Sequence, residues 1–158
     1  MIRNERDDYP RKNKIEGDYQ EPEFITITVT EPITHEFGGK KSHTTYQINT
    51  QTTFPEYKQT DFAVRRRYSD FVWLRNYLRR KMEESPKGRK KGGTIPPLPG
   101  NNLSSLFGAG RFEPAFIEER RVGLEAFLNS VANHVICRFE PGLHAFLQDQ
   151  EAELEKFD

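Results

Sequence analysis

The alternation of apolar and polar residues in the first half of the chain predicts three β-strands. The run Phe-Ile-Thr-Ile-Thr-Val alternates apolar residues with threonine and is rich in β-branched side chains, which favour strands. Two later runs have a similar character, so the predicted strands are 24–29, 44–50 and 61–68. Pro32, Gly38 and Gly39 predict a turn region between the first two strands, and the short links favour an antiparallel meander.

From Ser69 onward the apolar residues recur at helical spacing. Ser69 is the predicted N-cap of a first helix that ends by Pro86, and Asp70 suits its first turn. The apolar stripe of this helix comprises Phe71, Leu74, Tyr77, Leu78 and Met82. A second helix is predicted over about 114–133, and a short third helix follows Pro141.

The order of these elements predicts an α+β fold. The sequence Ile-Pro-Pro-Leu-Pro-Gly at 95–100 can only be extended, in the polyproline II conformation. We therefore expect a three-stranded antiparallel sheet packed against a helical subdomain, with a polyproline II loop. Residues 1–22 are polar and without hydrophobic period, so we predict a flexible N-terminal arm, a folded domain over 23–150 and an acidic C-terminal tail over 151–158.

Composition agrees with one domain and extended ends. The 158 residues are the usual length of a single domain, yet only 34% are apolar and 30% are charged. No run approaches the roughly eighteen apolar residues of a membrane-spanning helix, and the first residues lack the apolar core of a secretion signal. Cys137 is the one cysteine, so neither an intrachain disulfide nor a zinc knuckle is expected. We expect a soluble intracellular protein without cofactor or metal.

Charge is balanced overall but distributed unevenly. Lys and Arg number 24, and so do Asp and Glu, which gives a formal net charge of zero. Residues 65–91 hold eleven basic residues against three acidic ones, whereas 148–158 is acidic. A basic surface on a neutral protein favours a compact anionic partner over a long polyanion, and the chain has no aromatic–basic RNA motif. We therefore expect no nucleic-acid partner.

Arginines occupy two positions where a charge needs a partner. If the third predicted strand is correct, Arg66 lies on one face and Arg65 and Arg67 on the other, so at least one faces the packed side. Arg120 lies close to the apolar stripe of the second helix. Because an unpaired buried charge is costly, Arg120 should either pair with a carboxylate such as Asp70 or bind a phosphate. The pattern alone leaves both options open.

No residue pattern indicates catalysis. The four histidines are not spaced as metal ligands; they are His35, His43, His134 and His144. The glycine-rich run 88–94 lacks the Gly-Lys-Ser/Thr ending of a phosphate loop, and no Gly-x-Ser-x-Gly motif is present. We expect a binding protein rather than an enzyme.

Three motifs in this order and spacing resemble a known family. They are Arg-Arg-Tyr-Ser-Asp-Phe at 66–71, Pro-Pro-Leu-Pro-Gly at 96–100 and Phe-Ile-Glu-Glu-Arg-Arg-x-Gly-Leu at 116–124. Together they resemble the phox-homology (PX) domain, and more narrowly the small sorting nexins that contain little else, over about residues 22–150. The resemblance implies a three-stranded antiparallel sheet packed on helices. It also implies binding of phosphoinositide headgroups, usually phosphatidylinositol 3-phosphate.

The resemblance implies roles for individual residues. Arg67 would bind the 3-phosphate, Tyr68 would stack under the inositol ring, and Arg120 would bind the 4- and 5-hydroxyls, which disfavours further phosphates there. Asn101 stands where the family usually has a lysine for the 1-phosphate, so that contact should be weaker.

Further residues are expected to act at the rim of the pocket. We hypothesise that Lys90 or Lys91 replaces the charge that Asn101 lacks. Phosphorylation of Ser69 would place about −1.5 to −2 charges beside the pocket and repel the ligand. The loop that family members insert into the bilayer would here carry Leu103, Leu106 and Phe107.

The implied function is a non-catalytic peripheral membrane adaptor in endosomal protein sorting and recycling. Its expected partners are retromer-type coat subunits and cargo tails, contacted through the N-terminal arm and the first strand. We expect a monomer in solution that is cytoplasmic and peripheral on early endosomes. One alternative is a protein-interaction module with weak, non-selective binding to anionic lipid. Another is a module whose prolines at 96–99 bind a Src-homology-3 domain.

Overall fold

The computed structural model describes residues 21–86, 93–100 and 110–158. The strands are β1 (Ile25–Phe37), β2 (Lys40–Thr52) and β3 (Asp61–Arg67), and the α-helices are α1 (Tyr68–Glu84), α2 (Pro114–Ala132) and α3 (Pro141–Gln148). Two 3₁₀ helices follow α2 and α3, at Cys137–Phe139 and Leu154–Phe157. The predicted α+β fold with three strands ahead of the helices is confirmed.

The sheet is antiparallel throughout, in the order β1-β2-β3. Gly38 and Gly39 form the tight turn between β1 and β2 with φ angles of +59° and +75°, a region in which glycine has no steric penalty. The predicted turn at Pro32 is wrong, because β1 continues through it to Phe37. The pairing shifts between Thr30 and Ile33, and this irregularity on an edge strand accommodates a residue that cannot donate a ladder hydrogen bond.

The core lies between one face of the sheet and the three helices. Ile25, Ile27 and Val29 alternate inward from β1 and are buried. The predicted stripe of α1 is buried as expected. The buried residues of α2 are Leu124, Phe127, Leu128, Val131 and Ala132. This packing fixes the positions of α1 and α2 relative to the sheet.

Side chains from α2 close the outer edge of β1. The amide of Asn129 forms a reciprocal pair with Ile27, accepting from its N–H at 2.9 Å and donating to its carbonyl at 2.7 Å. A Glu125 carboxylate oxygen accepts from the Val29 N–H at 2.9 Å, and Arg121 donates to the Val29 carbonyl at 2.8 Å. These polar side chains take the place of a fourth strand and hold α2 in register with β1.

The segment predicted as an acidic tail packs against the domain. It contains the 3₁₀ helix Leu154–Phe157, in which Leu154 is buried, and Asp158 forms an ion pair with Arg80 of α1. The division of the chain at 22 and 150 remains a prediction. Among the described residues, none of the helices combines the length and apolar character needed to span a membrane.

Candidate anion-binding cavity

A cavity of about 260 Å³ opens where β2, the start of α1 and the first turns of α2 meet. Arg67, Tyr68 and Ser69 line it from the β3–α1 junction, and Arg120 lines it from α2. The structure therefore brings together the described residues that the sequence singled out. None of the described lining residues is acidic, so the cavity wall is positively charged.

Arg66 is the arginine of β3 that faces the packed side; the alternation predicts that at least one of the three does, without specifying which. Only 4% of it is exposed, and its guanidinium donates to main-chain carbonyls at the end of α3. The distances are 2.9 Å to Phe146, 3.1 Å to Ala145 and 3.3 Å to Gln150, and Asp149 is a fourth acceptor. Burial lowers the pKa of Arg66. Arg66 thus caps the carbonyl end of α3 and is not available to a ligand.

Arg67 follows on the opposite face and is exposed at the cavity. The N-cap of α1 is Arg67 rather than the predicted Ser69, because the helix begins at Tyr68, two residues earlier than an N-cap at Ser69 implies. Asp70 accepts from the Arg67 main-chain N–H at 2.9 Å and occupies the first turn as predicted. Ser69 Oγ accepts from Arg67 Nε at 2.6 Å, which orients the guanidinium.

Arg120 is held between two aromatic rings. Its guanidinium carbon lies 3.7 Å from the centre of the Tyr68 ring and 4.5 Å from that of Phe116. Its Nε and Nη2 are buried and have no hydrogen-bond partner in the described part of the chain. Burial lowers the pKa of Arg120, and the facing tyrosines act in the opposite direction.

The sequence left two possible partners for Arg120, a carboxylate such as Asp70 or a phosphate, and these contacts bear on the first. Within the described ranges Arg120 has no carboxylate partner, and Asp70 binds the main chain of Arg67 instead. The neighbouring Arg121 is paired: it donates to Glu118 at 2.6 Å, and this hydrogen bond raises the pKa of Arg121. The buried Nε and Nη2 of Arg120 therefore remain without an acceptor among the described residues, and the phosphate option stays a prediction.

The polyproline segment is fixed against the cavity wall. Tyr68 Oη donates to the carbonyl of Pro99 at 2.9 Å, and Arg75 Nε donates to the carbonyl of Pro96 at 3.0 Å. Pro99 rests on Gly123 of α2, where an added Cβ would lie 2.5 Å from the proline Cβ. Leu98 is buried in the core. The segment therefore ties α1 to α2 beside Arg120.

Two cavity residues, Arg111 and His43, escaped sequence reasoning. Arg111 lies before α2, with its guanidinium carbon 4.5 Å from the centre of the Phe112 ring. His43 lies on β2 and is 24 positions before Arg67, but the pairing of Thr45 with Arg67 brings the strands side by side. His43 lies one residue before the predicted second strand, and local pattern does not specify the register that brings it to Arg67.

Six of the predicted site residues lie outside the described residues. They are Lys90, Lys91, Asn101, Leu103, Leu106 and Phe107. Their roles stay predictions. The described residues contain no group of three or more side chains that could hold a metal ion.

Comparison with known proteins identifies the class to which this fold and cavity belong. Residues 54–150 match the PX domain, and the chain belongs to the PX-domain family. A designed CISK-PX domain has the same fold, with a TM-score of 0.57 and 24% identity over 78% of this chain and 98% of that one.

The similar proteins within that family are sorting nexins. Human sorting nexin-12 and sorting nexin-3 are 40% and 41% identical over 131 residues, which is 80% of this chain and 75% of each relative. Sorting nexin 1 of Arabidopsis thaliana is 36% identical over 90% of this chain but only 34% of its own length. Lipid binding and protein transport follow from this family, whose sorting nexins are generally non-enzymatic adaptors.

Proposed function

We propose that the cavity binds the headgroup of phosphatidylinositol 3-phosphate and thereby recruits the protein to endosomal membranes. The observation that carries the proposal is Arg120, whose Nε and Nη2 are buried at the cavity without a described partner. A buried charged donor without an acceptor costs about 1–3 kcal/mol or more. The hydroxyl oxygens of an inositol ring would supply the acceptors.

Arg67 is the residue that we propose for the 3-phosphate. It lies at the N-terminus of α1, where free N–H groups and the helix dipole favour an anion. A guanidinium can bind phosphate with two parallel hydrogen bonds, each contributing about 1.5–3 kcal/mol. Tyr68 would support the inositol ring, because its own ring is fixed by Arg120 and by the carbonyl of Pro99.

The 1-phosphate needs a basic residue to pair with. Asn101 offers a hydrogen bond but no charge, and Lys90 or Lys91 is our proposed replacement. Lys90 and Lys91 lie outside the described residues, whereas Arg111 lines the cavity. Arg111 is therefore a second candidate for the same charge.

The cellular role that we propose is that of an adaptor in endosomal sorting and recycling. Support comes from the relatives, which are named sorting nexins and align with 80% of the chain. Retromer-type coat subunits and cargo tails are the proposed partners, contacted through the N-terminal arm and β1. Membrane binding would be reversible, because headgroup capture, insertion and surface attraction each contribute only a few kcal/mol.

Liposome co-sedimentation across all phosphoinositides tests the lipid assignment. We expect selective binding to vesicles with phosphatidylinositol 3-phosphate and a loss of at least tenfold in affinity for Arg67→Ala, about the value of one charged hydrogen bond. Arg79→Ala is the matched control, because Arg79 is an exposed arginine of α1 that does not line the cavity. Equal binding to every anionic lipid, insensitive to Arg67, would favour the weakly binding protein-interaction module instead.

Four further variants belong in the same assay. Ser69→Glu should weaken binding strongly, because the added charge would attract the guanidinium of Arg67, whereas Ser69→Ala, which removes only the hydrogen bond that orients this guanidinium, should weaken it less. Arg111→Ala and the double variant Lys90→Ala/Lys91→Ala distinguish the two candidates for the missing charge. The variant with the larger loss identifies the group, and unchanged binding by the double lysine variant would discard the lysine hypothesis.

A further inference from the structure

The cavity contains a histidine to which none of the roles above is assigned. His43 lines it beside Arg67, and its ring is stacked on that of His35 from β1. The ring centres are 4.7 Å apart and the planes differ by 15°. The two residues are direct partners in the register of β1 and β2, so the sheet itself holds them together.

The two rings of the pair differ in their hydrogen bonds. Arg65 Nε and Nη2 both donate to Oγ1 of Thr45, each at 3.1 Å, and the same oxygen lies 2.8 Å from Nε2 of His35. His35 is thus hydrogen-bonded within the sheet. Nδ1 of His43 lies 3.0 Å from Ser42 Oγ, and among the described residues no hydrogen bond reaches its Nε2.

The charges around His43 disfavour its protonation in the protein alone. Burial, His35 and Arg67 lower the pKa of His43, while Asp70 on α1 acts in the opposite direction. Arg111, from the segment before α2, adds a further positive charge to the same cavity wall. His43 is therefore mostly neutral at pH 7.

We infer that His43 is a further contact for the bound phosphate and takes up a proton when the phosphate binds. A phosphomonoester beside Arg67 brings about −1.5 to −2 charges at pH 7, which reverses the sign of the field at His43. A complex that holds more protons than its free components forms more readily as pH falls. The contribution of His43 to headgroup binding is thus strengthened in mildly acidic solution. The inference rests on the proposed function, which places the phosphate at Arg67.

The phosphate of the ligand also titrates in this pH range, with the opposite effect on affinity. Its effect must be separated from that of His43. The phosphomonoester itself takes up its second proton near pH 6, which lowers its charge and weakens binding to arginine as pH falls. This effect is common to every variant of the protein. The ratio of wild-type affinity to that of a variant without His43 removes it and leaves the contribution of the imidazole.

Isothermal titration calorimetry with soluble short-chain phosphatidylinositol 3-phosphate measures that ratio. The variants are His43→Gln and His43→Phe, neither of which can bind a proton at this position. His43→Phe also retains a ring that can stack on His35. His35→Gln is the matched control, because it removes the other ring of the stack and keeps His43. Melting temperatures at each pH confirm that the variants are folded.

We expect the ratio of wild-type to His43→Gln affinity to rise about three- to tenfold between pH 7.5 and pH 5.5. Titrations in two buffers of different ionisation enthalpy should show more proton uptake for wild type and His35→Gln than for either His43 variant. A ratio that is the same at both pH values, or equal proton uptake, would overturn the inference and leave the proposed function intact. No binding by wild type at any pH would overturn both.

Discussion

Arg65, Arg66 and Arg67 are consecutive in β3, yet their guanidinium groups contact unrelated parts of the molecule. Arg65 donates to the carbonyl of Glu31 at 2.6 Å and fixes the irregular point of β1, where Glu31 has a φ of +48°. Arg66 caps α3 from inside the fold, and Arg67 lies exposed at the cavity. Strand alternation predicts the opposed faces of Arg66 and Arg67. It cannot predict that Arg66 has a structural role, because its partners are main-chain carbonyls about 80 residues away.

Arg66→Ala should therefore unfold the domain more readily, whereas Arg67→Ala should not. Removing Arg66 leaves the buried carbonyl of Phe146 without a described donor and leaves that of Ala145 with only the Asp149 N–H, and a hydrogen bond to a charged group contributes about 1.5–3 kcal/mol. We expect the free energy of unfolding in urea to fall by about 3 kcal/mol or more for Arg66→Ala. Arg67→Ala should change it by less than about 0.5 kcal/mol.

A lysine variant provides the control for this comparison. Arg66→Lys keeps the charge but has no planar fork, so it should recover only part of the stability that Arg66→Ala loses. Equal stability of Arg66→Ala and wild type would contradict the assigned capping role. A large loss in Arg67→Ala would show that its side chain supports the fold as well as the cavity.

At the level of elements, the sequence predicts the number, type and order of strands and helices but not all their ends. Periodicity places α2 over 114–133, and the helix observed is Pro114–Ala132. The first predicted strand ends at Val29, eight residues before the observed end of β1. The reason is Pro32, because a proline is not expected inside a central strand and therefore predicts a turn. β1 is an edge strand, as a three-stranded meander implies, but the stabilisation of its irregularity by Arg65 cannot be inferred from local pattern.

The polyproline segment acts as a wedge between α1 and α2. Its carbonyls bind Tyr68 and Arg75 on one side, and Pro99 packs on the bare backbone of Gly123 on the other. The proline-rich motif can be recognised in the sequence. The reason for Gly123 in the middle of α2 cannot, because it depends on Pro99, which is 24 positions earlier in the chain but contacts the helix in the fold.

Gly123→Ala should weaken lipid binding more than it changes stability. The new Cβ would lie 2.5 Å from Pro99, so the proline must move and its hydrogen bond with Tyr68 is lost or distorted. Alanine favours the helix by about 1 kcal/mol, which offsets part of the clash. We expect affinity for soluble phosphatidylinositol 3-phosphate to fall about fivefold, the equivalent of one hydrogen bond of about 1 kcal/mol. Calorimetry measures this change.

Gly110→Ala is the matched control for this variant. An added Cβ at Gly110 meets nothing within 4 Å, so this change tests the loss of a glycine without displacement of a neighbour. Its affinity should equal that of wild type. If Gly123→Ala also binds like wild type, the contact between Pro99 and α2 does not position Tyr68.

For the whole molecule, the decisive property is that positive charge is concentrated at the cavity although the chain as a whole is neutral. The chain is formally neutral, yet its cavity gathers Arg67, Arg111 and Arg120, with no acid among the described lining residues. Such a protein should ignore membranes of moderate negative charge and respond to one compact anionic headgroup. Sequence alone shows the basic segment 65–91, but Arg111 and Arg120 join Arg67 only through the tertiary fold.

The two ends of segment 101–109 lie at this cavity, which bears on how the protein meets a bilayer. Pro99 binds Tyr68 just before the segment, and Arg111 lines the cavity just after it. The family resemblance implies that Leu103, Leu106 and Phe107, which lie outside the described residues, insert into the bilayer. That role stays a prediction.

Leu106→Ser with Phe107→Ser should release a folded protein from the membrane. Burial of each side chain in lipid would contribute about 1.5–3 kcal/mol, so their loss should reduce vesicle binding by more than tenfold. Binding of the soluble short-chain lipid should be unchanged, because that ligand requires only the cavity. Phe139→Ser is the matched control, since Phe139 is 54% exposed and follows the far end of α2, about 28 Å along the helix from Pro114. Unfolding of the double variant would instead assign Leu106 and Phe107 to the core.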